Sequence, residues 1–102
     1  MVKYGLHSKI KSKAGSFEKL TQILLDASTL ATAAKGCRLY FISKDNVDPD
    51  SIWVTEVWDS KDDHDNSLKD GSIKALISQA MLLIEGIPEK GQELEILGGL
   101  GI

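Results

Sequence analysis

Hydrophobic periodicity along this chain switches between a strand-like period of two and a helical spacing of three or four residues, and the order of the switches leaves few folds open. Val2, Tyr4, Leu6 and Ile10 alternate with Lys3, His7, Lys9 and Lys11, the pattern of a half-buried strand. Ala14-Gly15 ends that run, and Ser16 is placed to cap a helix. Phe17, Leu20, Leu24, Ala27, Ala31 and Ala34 then recur on one helical face, closed by Lys35 and by Gly36, which tolerates the left-handed backbone of a helix end. The small residues from Ala27 to Ala34 let this helix lie close to a sheet or leave space beside it.

Two strands follow as a hairpin, Cys37 to Ser43 (CRLYFIS) and Ser51 to Trp58 (SIWVTEVW). The turn-forming cluster KDNVDPD joins them, and its Pro49 is excluded from a central strand. Asp59 and Ser60 open a short helix, with Ser60 and Asp63 spaced as in a capping box. Gly71 breaks it, and Ser72 is placed to cap a longer helix carrying Ile73, Leu76, Ile77, Ala80, Met81 and Ile84 on one face. Gly86 and Pro88 end that helix, Glu93 to Leu97 (ELEIL) forms a last strand, and residues 98–102 are a tail. The order β-α-β-β-α-α-β predicts an α+β fold of the ferredoxin-like, split β-α-β kind, a four-stranded antiparallel sheet with helices on one face.

Composition supports one globular domain over residues 1–102, with 42% hydrophobic and 26% charged residues. Twelve basic residues against fifteen acidic ones leave a net charge of −3, with no basic stripe for phosphate contacts, so nucleic acid is not an expected partner. No run approaches membrane-spanning length and the N-terminus has no continuous apolar leader, so a soluble cytoplasmic protein without a membrane partner is expected. The single cysteine, Cys37, excludes an intramolecular disulfide framework and a multi-cysteine metal cage.

The sheet's second face is the main puzzle. If Val54, Glu56 and Trp58 point toward the helices, Trp53, Thr55 and Val57 point away. Either Arg38, Tyr40 and Ile42 or Cys37, Leu39 and Phe41 must join them, leaving large apolar side chains that nothing in the chain covers. A homodimer packed sheet to sheet resolves this, with Trp53 and Tyr40 as its expected interface residues.

The element order, the Gly36-Cys37 pair entering the second strand, the segment Trp53 to Ser60 (WVTEVWDS) and the closing strand resemble the antibiotic biosynthesis monooxygenase (ABM) family. The resemblance implies a dimeric α/β-barrel with a pocket in each subunit between sheet and helices. It also implies oxidation of a small phenol or quinol by molecular oxygen, without metal, flavin or other cofactor. Such a reaction uses the deprotonated substrate as reductant, so the protein supplies a closed apolar cavity, a base and donors for the oxyanion. Members that degrade haem carry an asparagine near Ser8 and a histidine near Ile77. Both are absent here, which argues against haem degradation.

Candidate residues follow from both lines of reasoning. Trp58 matches an aromatic position at the family's pocket wall, where it would stack on a flat substrate; otherwise it is a core tryptophan. Glu56 is a carboxylate on an otherwise apolar strand face, so it is either a pocket acid or base or the partner of Arg38 or a lysine. His64 has the side chain best suited to proton transfer near neutrality, although Asp62, Asp63 and Asp65 around it also suit a solvated first turn. The family's frequent histidine lies three positions on, where this chain has Ser67. Asn66 offers an amide donor to a substrate oxygen, or is a plain polar helix residue. Tyr4, Leu6 and Ser8, with His7 as an alternative, belong to the strand lining the same region. His64, Glu56 and Asn66 are therefore the catalytic candidates, and Trp58, Tyr4, Leu6 and Ser8 the substrate-binding ones.

No metal site is expected. Asp45, Asp48 and Asp50 lack the glycine and distal glutamate of a calcium loop, and capping explains the carboxylates around Ser60. The glycines of GGLGI open no helix and so make no phosphate loop. Two functional classes remain: a cofactor-independent monooxygenase acting on a small aromatic ligand, and a non-catalytic binding module on the same scaffold.

Overall fold

A computed structural model describes residues 2–88 and 90–102. The elements are β1 (Lys3–Lys11), α1 (Phe17–Ala31), β2 (Cys37–Lys44), β3 (Ser51–Trp58), α2 (Lys61–Ser67), α3 (Gly71–Met81) and β4 (Gln92–Ile96). The four strands form one antiparallel sheet in the order β2-β3-β1-β4, the ferredoxin-like arrangement expected from the element order. Among the described residues, no helix is long and apolar enough to cross a membrane.

Register decides which side chains share a face. Leu6 pairs with Glu56, Ser8 with Val54 and Ile10 with Ile52 across β1 and β3, while Tyr40 pairs with Glu56 and Ile42 with Val54 across β2 and β3. Leu20, Ile23 and Leu24 of α1 and Ala80 of α3 meet Ile52 and Val54 of β3 in one buried cluster. Both long helices therefore cover the same face. Tyr40 packs against that cluster with Ile42, so it lies on the helix side and not beside Trp53 as expected. A bulge between Cys37 and Leu39 shifts the phase of alternation at the start of β2, which is why its inward set could not be counted from the strand's first residue.

The uncovered face carries Trp53 and Thr55, with Leu39 and Phe41 from β2. There the His7 ring stacks on Trp53 with centroids 4.5 Å apart, and Phe41 is 48% exposed. The Trp53 indole N–H donates to Oδ2 of Asp45 at 2.9 Å. Oδ1 of the same carboxylate accepts from the backbone of Val47 and Asp48, at 2.8 and 2.9 Å. The acidic hairpin turn is thus consumed by its own backbone and by Trp53.

Local signals set some helix ends and not others. Ser60 caps α2, its hydroxyl accepting from Asp63 N at 3.1 Å. Ser16 stands at the start of α1 but its side chain makes no capping bond. α3 begins at Gly71 and is capped by Asp70, whose Oδ1 accepts from Ser72 N and Ile73 N at 2.9 and 3.0 Å; Ser72 is inside the helix. A carboxylate two residues earlier outcompetes a hydroxyl because it also meets the positive end of the helix dipole. α1 stops at Ala31, and the tighter bond Ala34 N to Ala31 O (2.9 Å) carries the chain to Gly36. Gly36 has φ of 82°, and a Cβ there would collide with Asp63, so the left-handed turn seats β2 against the start of α2.

Candidate active site

A cavity of about 320 Å³ lies between the sheet and the helices. Leu6 and Ser8 of β1, Tyr40 of β2, and Val54 and Glu56 of β3 form its sheet side. Ala27 and Ala31 of α1, Leu76 of α3 and His64 with Ser67 of α2 close it from the other side. Ala27 and Ala31 give α1 small side chains along this wall, beside Ile23 and Leu24, which leaves room between helix and sheet. Its size suits a small ligand, and its wall is apolar apart from a few groups.

Those polar groups converge. Glu56 is 8% exposed, and its Oε1 accepts a 3.0 Å hydrogen bond from the Trp58 indole N–H. Nε2 of His64 lies 3.8 Å from the same oxygen, and His64 is itself 9% exposed. Burial pushes the Glu56 carboxyl above its ordinary range, with the Trp58 N–H and the His64 imidazole opposing the shift. On the far side of the imidazole, Nδ1 lies 3.0 Å from Oδ1 of Asp65. Ser67 Oγ donates to the His64 carbonyl at 2.6 Å, fixing the helix end beneath the ring. Burial, reinforced by the Glu56 charge, pushes the Tyr40 hydroxyl far above its usual range and keeps it neutral.

The structure sorts the expected site residues. His64, Glu56, Leu6 and Ser8 line the cavity. Trp58 does not: it is 1% exposed, packs edge-on against the His64 ring at 5.8 Å and spends its N–H on Glu56, so it supports the site from the core. Tyr4 stands outside the lining, its ring 5.5 Å from that of His64 and its hydroxyl donating to Oε2 of Glu93 at 3.0 Å. Burial, and then that bond, push the Tyr4 hydroxyl up to about 12. Asn66 is exposed on the outer side of α2 and does not reach the cavity, because it lies two residues from the inward-facing His64. Arg38, weighed as a partner for Glu56, instead grips Asp59 in a two-pronged contact of 2.6 and 3.0 Å. Tyr40, Asp65 and Ser67 are the residues that sequence reasoning left out of the site; only the β2 register and the seating of α2 reveal them.

Burial, and then the Glu56 charge, push the Cys37 thiol up, the opposite of the low-pKa setting that activates a cysteine. Among the described residues, no group of three or more His, Cys, Asp or Glu side chains is placed to hold a metal ion. A second cavity of about 280 Å³ sits at the hairpin end of the sheet, lined by Lys9, Lys11, Asp48 and Glu85 among others. It lacks the buried carboxyl and imidazole of the first, and Lys9 is already paired with Asp45 and Asp48, so the first cavity is the better site.

Sheet order, one-sided helices and a polar-tipped cavity between them define a ferredoxin-like α+β domain with room for a small molecule. The profile of the antibiotic biosynthesis monooxygenase family matches residues 4–79, and the chain belongs to that family. It is similar to a protein of Chloroflexus aurantiacus J-10-fl provisionally named an antibiotic biosynthesis monooxygenase, with 35% identity, 95% of each chain covered and a TM-score of 0.85. A Nitrosomonas europaea protein of unknown function is 24% identical, with 97% of this chain and 93% of that one covered at a TM-score of 0.80. A second N. europaea protein, provisionally named as the first is, reaches a TM-score of 0.88 at 13% identity over 93% and 90% of the two chains. These last two similarities speak for the fold alone. No curated protein matches the chain.

Proposed function

We propose that the chain is a cofactor-independent monooxygenase that oxidises a small aromatic phenol or quinol with molecular oxygen. The observation that carries this reading is the buried Glu56–His64 pair at the polar end of an otherwise apolar cavity. A hydroxyl presented there meets an imidazole able to take its proton and a carboxyl across from the resulting charge. Deprotonation makes the aromatic ring the electron donor to oxygen. One oxygen atom enters the ring and the other leaves as water, so a phenol becomes a quinone. The apolar lining limits the polar surface that the reacting ring meets.

In this reading His64 is the base, Glu56 its counter-charge, and Leu6, Ser8 and Tyr40 contact the ligand. A cytoplasmic homodimer, joined sheet to sheet through Trp53 and Phe41, covers the apolar outer face.

Ser67 favours the second reading, a non-catalytic module that binds a small aromatic molecule. It occupies the position where the family often has histidine, and its hydroxyl is bonded to the backbone of His64. Oxygen uptake by metal-stripped protein, measured against a panel of quinols and polycyclic phenols with boiled protein as control, separates the two. Uptake above autoxidation with quinone formed in proportion supports the enzyme, provided that His64→Ala lowers turnover more than binding. Ligand binding without uptake supports the module.

A further inference from the structure

The His64 ring has a carboxyl group on each side, and the two contacts differ in kind. Oδ1 of Asp65 lies 3.0 Å from Nδ1, a hydrogen bond, whereas Oε1 of Glu56 lies 3.8 Å from Nε2, beyond hydrogen-bond reach. Asp65 is held below the usual carboxylate range first by its bond to Lys61 and then by its bond to His64. Lys61 Nζ takes the other oxygen, Oδ2, at 2.9 Å. An ionised carboxylate can only accept, so the hydrogen of the Asp65 contact belongs to Nδ1. A neutral imidazole carries one N–H, which leaves Nε2 with its lone pair on the side of Glu56 and the cavity.

The geometry points to Asp65 as a positioning residue that fixes His64 in the Nδ1–H tautomer, so that Nε2 accepts the hydroxyl proton of a phenolic ligand. The proton-accepting half rests on the phenolic-ligand reading above; the tautomer itself does not. In the transfer the ligand O–H bond breaks and an Nε2–H bond forms, leaving a phenolate and an imidazolium. That imidazolium stands between Asp65 and Glu56, with no redox partner needed for this step. Other groups facing the ring do not compete for Nε2. The Trp58 N–H is bonded to Glu56, the Tyr4 hydroxyl from β1 is bonded to Glu93 of β4, and Lys61 reaches only Asp65.

Two readouts test this. Long-range proton–nitrogen spectra of the histidine rings, assigned with His64→Gln, show Nδ1–H for neutral His64 in the wild type. Asp65→Ala moves the hydrogen to Nε2, and Asp65→Glu restores it. Nε2–H in the wild type, or no change in Asp65→Ala, overturns the proposal. The second readout uses 4-nitrophenol, whose absorption distinguishes phenol from phenolate. Wild type binds it as phenolate below its solution pKa, and Asp65→Ala lowers the bound phenolate-to-phenol ratio roughly tenfold, one pKa unit. A neutral bound phenol in the wild type overturns the proton transfer. Absence of 4-nitrophenol binding overturns the phenolic-ligand reading and the transfer with it, while the tautomer is still decided by the nitrogen spectra.

Discussion

The indole N–H of Trp58 donates to Oε1 of Glu56 at 3.0 Å, and both side chains are buried, so a carboxyl group inside the core has a tryptophan as its fixed donor. The two residues sit two apart on β3 and face the helices together. Burial alone drives this carboxyl toward its neutral form, and the indole draws it back toward the charged one. Trp58 and Glu56 act as one unit beneath the cavity.

Trp58→Phe removes that donor while keeping an aromatic ring. The expected cost is about 1 to 3 kcal/mol from the unsatisfied carboxyl, with a smaller loss from the reduced ring volume. Urea unfolding of the two proteins measures it; equal midpoints would show that Glu56 does not depend on the indole.

Stability should fall with rising pH where Glu56 titrates. Its folded carboxyl holds its proton more tightly than the unfolded one, so the folded state binds more protons in that interval. The contribution is full below the unfolded value, about 4.3, and is lost as pH rises through the folded value. Glu56→Gln, which can still accept from Trp58, should remove this slope. Unfolding midpoints across the interval show whether it does.

Asp45 works in the opposite sense. Hydrogen bonds from Asp48, Trp53 and Val47 hold its carboxyl down to about 2, so its contribution is present above the unfolded value and is lost as pH falls through about 2. Asp45→Asn should therefore leave acid unfolding less steep over that range, while stability near neutrality drops through the weakened turn. An acid titration followed by far-UV circular dichroism reads both effects.

Filling the cavity should separate binding from folding. Ala27→Leu replaces a methyl with an isobutyl side chain on the α1 wall, which should weaken binding of a flat phenol at least about tenfold with an unchanged or raised Tm. Calorimetric titration and a thermal melt of the same sample decide it. A lost fold would mean that the space is already occupied by neighbouring side chains.

The uncovered sheet face makes its own prediction. Phe41→Asp places a charge on a side chain that is 48% exposed in the single chain, so it should leave the monomer fold intact and abolish a sheet-to-sheet dimer. Trp53→Ala should act in the same direction. Sedimentation equilibrium gives the mass, and an unchanged value in both variants would remove this face from the interface.

Much of this architecture was legible because its signals are local. The alternation of SIWVTEVW places β3 at Ser51–Trp58 as expected, and Ser60 caps α2 because a hydroxyl three residues before Asp63 N meets it within one turn. α3 was capped by Asp70 in place of Ser72 because two adequate signals lay two residues apart, and only the folded turn chose between them. His64 was ambiguous for a related reason: α2 has seven residues, too few for a periodic pattern to define an inward face, and three aspartates mask it.

The sequence by itself determined the order of elements and that Val54, Glu56 and Trp58 share one face of β3, because side-chain alternation along a strand is a property of the backbone. Tertiary structure decided which groups Glu56 meets. Tyr40 joins it through the bulged register of β2, His64 through the seating of α2 after Gly36, and Arg38 is drawn away to Asp59. Those choices depend on contacts between segments far apart in the chain, and periodicity carries no information about which of two equally apolar faces will find a partner.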